Sequence, residues 1–276
     1  MLPEGVEVRP MQGQDVTAVL SLIEQHDEDD AEAAKESYEE SGLADQFVLT
    51  EQDKIIGVTG FRPVEGTDNT CWLSWTYMLP EKQGQGYGTR VLESLIEHLK
   101  EINVRKIFVS TSDYREEDGA AAYEAAQKMY ETVGFKEELR HPDYYAPGET
   151  QIVYGLAINS PVLKPAILHE EVFIEFTGMH EIEETEDTYH IQWQAQARKL
   201  FGKNTQFTLD DLELAKSTGA EWEARSLLIS FPSNIPSVVE PLFKAGFSEA
   251  GRLKDYYEEG LDEVHYRFVL LKNTKQ

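Results

Sequence analysis

The chain nearly repeats itself. MYETVGFKEELRHPDYYAPGETQIVYGLAI (129–158) lies beside LFKAGFSEAGRLKDYYEEGLDEVHYRFVL (242–270) at a constant offset of 112. Gly134-Phe135 falls on Gly246-Phe247, Asp143-Tyr144-Tyr145 on Asp255-Tyr256-Tyr257, and Tyr154 on Tyr266. A Gly-Phe pair alone recurs by chance, but three matches in register do not, so two halves on one skeleton are expected. Upstream, TRVLESLIEHLKEINVRKIFVS aligns with TLDDLELAKSTGAEWEARSLLIS at an offset of 119, with one gap before Asn103. The change of offset implies about seven extra residues in the first half, assigned to DYREEDGAA (113–121) against Ser233-Asn234. The 276 residues hold two domains of ordinary size. Pro161 and Pro165 frame the linker, giving expected domains at 1–160 and 165–276.

Apolar spacing within the first half alternates between strand and helix periods. Residues 5–10 read as a strand, and Val16, Val19, Leu20 and Ile23 give QDVTAVLSLIEQH a helical face. The acidic stretch 26–42 reads as helix and loop. QFVLTEQDKIIGVTGFRPV reads as two strands around a turn at Glu51–Lys54, and 69–79 as one further strand. A glycine-rich loop leads into a helix with Val91, Leu92, Leu95, Ile96, Leu99 and Ile102 on one face. A strand at 105–112, a helix ending at Gly134 and a strand at 150–158 complete the half. The expected class is α/β, with a mixed, mostly antiparallel sheet flanked by helices.

Hydrophobic residues make up 41% of the chain, with 12 Phe, 13 Tyr and 4 Trp, enough for packed cores. The 51 acidic and 25 basic residues leave a net charge of −26 at pH 7. Such a surface repels a phosphate backbone, arguing against nucleic acid as partner, and attracts cations such as amines. No apolar run reaches the roughly 18 residues of a membrane span. The N-terminus lacks the basic-then-apolar pattern of a secretion signal, so a cytoplasmic location is expected. The single Cys71 permits no intramolecular disulfide and reads as a core residue in its strand. The seven histidines form no HxxxH or HxH pair, and no metal is expected.

The loop EKQGQGYG (81–88) carries glycine at every second position, Gly84, Gly86 and Gly88. Glycines admit positive φ and close approach of a ligand to the backbone. The free N–H groups and dipole of the following helix favour an anion. A dinucleotide fingerprint fails because the sixth position from Gly84 is Thr89, and no Gly-Lys-Ser/Thr triplet exists for a P-loop. Gln83-Gly84-Gln85-Gly86-Tyr87-Gly88, after a strand ending Met78-Leu79-Pro80-Glu81, resembles the Gln/Arg-x-x-Gly-x-Gly/Ala acetyl-CoA pyrophosphate loop of the GNAT N-acetyltransferase superfamily. MYETVGF is similar to that family's Tyr-x-x-x-Gly-Phe motif, and the order of elements over 1–158 is the family's order. The second half has only KLFGKNTQF (199–207) opposite the loop and resembles a degenerate copy.

The resemblance implies that the strand before the loop splays from the next, so that pantetheine lies against the backbone of Tyr77, Met78 and Leu79. Gln83, Gly84, Gln85, Gly86, Tyr87, Gly88 and Thr89 would hold the pyrophosphate. Tyr130 would protonate the departing sulfur. The activity implied is transfer of acetyl from acetyl-CoA to a primary amine of a small molecule or peptide, by a monomer or homodimer. A CoA-binding sensor or scaffold without turnover is the alternative. Two departures bear on it. The family often places a Glu on the strands around the loop, where this chain has Ser74, Thr76 and Ser110, and an Asn where it has Tyr123. Those hydroxyls, or Asp113, Glu116, Glu117 or Asp118, are the candidates for proton removal. The acidic run from Asp27 to Glu40 would draw a cationic acceptor.

Overall fold

The computed structural model describes residues 5–116, 119–161, 173–196 and 208–270. They group into two compact units, one within 5–111, 115–137 and 153–161, the other within 112–114, 138–152, 173–196 and 208–270. Segment 138–152 thus counts with the second unit, although the sequence repeat placed it in 1–160.

In the first unit β1 (Val6–Pro10), β2 (Gln46–Glu51) and β3 (Lys54–Pro63) pair antiparallel in turn. Gln52 and Asp53, with φ of 52° and 64°, form the two-residue turn between β2 and β3. The segment read as one strand at 69–79 is two, β4 (Thr70–Leu73) and β5 (Tyr77–Met78). β4 pairs antiparallel with β3 and parallel with β6 (Lys106–Ser112), whereas β5 pairs with β3. With β8 (Gln151–Ala157) the sheet runs β1-β2-β3-β4-β6-β8, β5 lying off this path, while most of β7 (Lys136–His141) counts with the second unit.

Alternation along the strands sends neighbouring residues to opposite faces. Val48 and Val58 pack with Val19, Ile23, Ala34 and Tyr38 of α1 (Val16–Glu24) and α2 (Glu28–Ser41). Leu49, Ile56 and Met78 pack with Val91 of α3 (Tyr87–Glu101). The expected face of α3 is buried except for Ile102, which follows the helix as its cap and is 46% exposed. α4 (Glu124–Thr132) closes with Phe135 N–H on the Tyr130 carbonyl at 3.0 Å and Gly134 N–H on Glu131 at 3.1 Å. Gly134 takes φ 103°, so the Gly-Phe pair is a helix stop that needs its glycine.

In the second unit β9 (Phe173–Glu181), β10 (Thr188–Gln196), β11 (Ser226–Pro232), β12 (Ser248–Glu258) and β13 (Leu261–Val269) form a sheet in the order β12-β13-β11-β10-β9. α5 (Leu209–Glu221) and α6 (Val239–Lys244) supply Leu212 and Leu242 to a core with Ile191, Leu227, Ile229 and Phe247.

Bond patterns recur between the units. Arg105 donates from its backbone to Asn69 at 2.8 Å, from Nε to the Asp68 carbonyl at 3.0 Å and from Nη2 to Thr70 Oγ1 at 3.0 Å. Arg225 does the same to Asp187 at 2.7 Å, Glu186 at 3.2 Å and Thr188 at 3.1 Å. Gly246 and Phe247 stop α6 as Gly134 and Phe135 stop α4. The ends of α3 and α5 match at an offset of 120. Ile102 N–H bonds His98 at 3.1 Å and Trp222 N–H bonds Thr218 at 3.0 Å, each followed by a residue of positive φ, Asn103 and Glu223. This register leaves no room for the gap before Asn103 and makes the first half longer by about eight residues, not seven. The KLFGKNTQF segment lies outside the described residues.

Arg225 also reaches three backbone carbonyls of the DYY turn, those of Asp143, Tyr144 at 3.2 Å and Tyr145 at 3.4 Å. These bonds tie the DYY turn to Arg225 within the second unit.

Candidate functional site

The sheet opens where β4 gives way to β5. The parallel ladder between β4 and β6 ends at Trp72 and Phe108. Beyond it Ser74 N–H still bonds Gly60 at 2.9 Å and Leu79 N–H bonds Ile56 at 2.9 Å, so the chain stays on β3 and leaves β6. In the antiparallel ladder Val58 faces Tyr77 and Gly57 faces Met78. Because Leu79 points its N–H at β3, alternation turns the N–H and C=O of Met78 away from it. Gly57 leaves room for the Met78 side chain, since a Cβ there would lie 2.5 Å from Met78 Sδ. At the opening, Ser74 Oγ is buried without a hydrogen-bond partner. Buried hydroxyls are ordinarily satisfied, so the orphan marks a place for a polar guest.

The glycine loop follows within six residues of Met78. Gly84 and Gly86 have φ of 70° and 79°, and a Cβ on either would meet nothing within 4 Å. They are there for conformation, and the space above them is open. Gly88 differs, because a Cβ on it would lie 3.0 Å from Met129 Sδ of α4. Its role is helix packing, not the baring of backbone. Gly86 caps α3 with no side-chain hydrogen bond and no acid follows in the first turn, which leaves the helix N–H groups to an anion. Gln83 and Gln85 are exposed, Gln85 donating to the Glu81 carbonyl at 2.6 Å, while Tyr87 and Thr89 are half-buried. The nearby cation is engaged: Lys82 Nζ lies 2.5 Å from Glu51, which also accepts from the Tyr87 hydroxyl at 3.4 Å.

Tyr130 is 7% exposed on α4, with its ring centroid 5.8 Å from Phe135 and 6.0 Å from Tyr154. Burial pushes its phenol up to about 12. It therefore stays a neutral hydrogen-bond donor across the physiological range.

Residues 16–135 match the Acetyltransferase (GNAT) family. This stretch is a GNAT acetyltransferase domain. Acetyl transfer is accordingly its chemistry, and the chain is an acyltransferase. Among solved structures, the GNAT domain and its surroundings are similar to a Desulfovibrio desulfuricans protein assigned to the same family, at 25% identity and TM-score 0.49, covering 56% of this chain and 99% of that one. The ribosomal-protein-S18-alanine N-acetyltransferase of Escherichia coli is similar at 21% identity and TM-score 0.45, covering 59% and 99%. A GNAT family acetyltransferase of Brucella melitensis, in complex with acetyl-CoA, is similar at 16% identity and TM-score 0.40, covering 58% and 92%. A comparison with curated proteins gave no match. No helix of the described residues is long and apolar enough to cross a membrane.

The sequence candidates for a base in the GNAT domain fare unevenly. Thr76 is committed to the Ser74 carbonyl at 3.1 Å and Thr59 Oγ1 at 3.0 Å. In the other unit Asp113 Oδ1 accepts from Thr150 N–H at 2.7 Å. Glu116 is exposed, and Glu117 and Asp118 lie outside the described residues. Cys71 is 1% exposed, burial raising its thiol to about 12, in keeping with a core role.

Sequence reasoning missed a set of polar side chains on β5. Tyr77 donates its hydroxyl to Asp30 of α2. Burial raises the Asp30 carboxyl against the pull of that bond, and burial followed by the Asp30 charge raises Tyr77. His26 Nε2 lies 2.7 Å from the Met78 carbonyl. Each is a single residue in a loop or an acidic run, and only the fold brings them to the strand.

Proposed function

We propose that the GNAT domain transfers acetyl from acetyl-CoA to a primary amine of a small molecule or peptide by direct attack. One observation carries the reading: Met78 turns its N–H away from β3, and the open Gly84–Gly86 loop begins six residues on, as a pantetheine and its pyrophosphate would need. Met78 N–H would donate to the thioester oxygen as charge develops on it, and N–H groups of 84–89 would receive the pyrophosphate. A buried phenol near 12 is a weaker acid than a thiol near 8.5, so Tyr130 would act as a hydrogen-bond donor to the leaving sulfur and keep its proton. The acids at the start of α2 would favour a cationic acceptor.

The second unit is read here as a degenerate copy. The recurring bonds of Arg105 and Arg225 and of the two Gly-Phe stops support this, and Leu242 stands where Tyr130 does. There β10 and β11 pair at Thr188–His190, and beyond that Trp193 Nε1 donates to the Ser230 carbonyl at 2.8 Å, bridging the two strands with a side chain.

Release of free thiol from acetyl-CoA across a broad panel of amines tests the reading, with Tyr130→Phe alongside. Amine-dependent release by the wild type, slowed roughly 10- to 100-fold by the substitution, supports transfer. Tight CoA binding with no release above background would leave a CoA-binding sensor or scaffold instead.

A further inference from the structure

We propose that His26 is the catalytic base, taking the proton from the attacking amine. The inference rests on the acetyl-transfer reading and supplies the group that the strand sequences lack.

His26 sits in the joint between α1 and α2 and is held from several sides. Its backbone N–H and that of Asp27 bond the Ile23 carbonyl at 2.8 and 3.0 Å, stopping α1. Asp27 then starts α2, accepting from the N–H groups of Asp29 at 2.9 Å and Asp30 at 3.1 Å. The imidazole lies 5.3 Å from the Tyr77 ring, tilted 34°. A carbonyl only accepts, so at 2.7 Å from Met78 O the Nε2 of His26 is the donor. In the neutral ring the lone pair is then on Nδ1, and this tautomer is fixed by the strand itself.

The carbonyl that His26 holds belongs to the residue whose N–H is turned to the same free edge. In an extended residue N–H and C=O point the same way, so the imidazole stands beside the position a thioester carbonyl would take on Met78. The titratable groups that act on Tyr77, the ring beside His26, are Asp30 on α2, Tyr123 and Asp27, the cap of α2. In the step, the amine nitrogen bonds the acetyl carbon and one N–H proton passes to Nδ1. The carbon–sulfur bond breaks with its electron pair on sulfur, and the thiolate and imidazolium exchange the proton with each other or with water.

The test is the pH dependence of amine-dependent thiol release by the wild type and by His26→Gln, whose amide still donates to Met78. Acetyl-CoA titrations of both proteins establish that the variant is folded. The expected result is unchanged acetyl-CoA binding, a kcat lower by roughly 10²- to 10⁴-fold, loss of the acidic limb of the profile, and partial recovery with an amine already neutral at the working pH. Activity within about threefold of wild type with the same profile overturns the assignment. So does an equal loss for all amines with the profile unchanged, which is the mark of a structural role. A wild type that binds acetyl-CoA and acetylates nothing removes the acetyl-transfer reading, and the base with it.

Discussion

Lys82 is held by Glu51 at 2.5 Å, beside the glycine loop that would receive a pyrophosphate. The hydrogen bond to Lys82 lowers the Glu51 carboxyl and raises the Lys82 ammonium, so both are charged at neutral pH. An anion arriving at the loop competes with Glu51 for this cation. Glu51→Gln should tighten CoA binding by roughly two- to fivefold at low salt, the range of an exposed ion pair. The gain should shrink as salt rises. Calorimetric titration at two ionic strengths checks both.

The three loop glycines should separate. Gly84→Ala and Gly86→Ala force a Cβ into the left-handed region, a strain of about 1–2 kcal/mol each that the loop relieves by moving its N–H groups. Their CoA dissociation constants should rise at least tenfold. Gly88→Ala should lower the melting temperature by pressing on Met129, leaving the dissociation constant within about threefold of wild type.

Acid should destabilise the second unit. Burial first, then the charges of His265 and Arg267, lower His141 to about 3. Burial and His180 lower His190 to about 4. Both rings are neutral when folded and take up protons near 6.5 when unfolded, so the unfolded state binds more protons below that pH. Stability should fall as pH drops from about 6.5 toward 4, and level out near 3. Glu263, lowered by bonds to His265, Tyr257 and Ser230 that outweigh its burial, acts in the same direction at the acid end. Urea unfolding at pH 5 and 7 should show the loss, and His141→Phe should reduce it.

Arg225 should be a keystone of the second unit. It serves the carbonyls of Asp143, Tyr144, Tyr145 and Glu186 as well as Thr188 Oγ1. Arg225→Ala leaves several buried acceptors without donors and should cost on the order of 3 kcal/mol. Hydrogen exchange should rise first in 143–150. Arg225→Lys, with one compact ammonium for a fork of donors, should restore little.

Much of this was legible in the chain because its causes are local. The Gly-Phe stop needs a residue of positive φ, and glycine announces it at both 134 and 246. The turn at Gln52-Asp53 and the buried face of α3 were readable for the same reason. Glu223 shows the limit. It takes φ 59° as Asn103 takes 63°, but glutamate does not advertise that conformation, so the match of the two sequences shows a gap that the helix ends do not have. The break between β4 and β5 was hidden because 69–79 is full of strand formers on both sides of it, Thr70 and Trp72 before, Trp75, Thr76 and Tyr77 after, and its partner strand leaves at Trp72. β7 was hidden by charge, only Leu139 and His141 being buried among KEELRH. His26 and Asp30 were hidden because a lone histidine and one acid in an acidic run carry no spacing signal.

Acetyl should leave CoA and arrive on nitrogen. Wild-type protein incubated with isotopically labelled acetyl-CoA and a mixture of polyamines, aminoglycosides and lysine-ended peptides should yield an amine carrying one labelled acetyl group, seen by mass spectrometry. The label should be absent without protein and strongly reduced with Gly86→Ala. Label that remains on CoA with every acceptor, while the protein binds acetyl-CoA, would contradict the account.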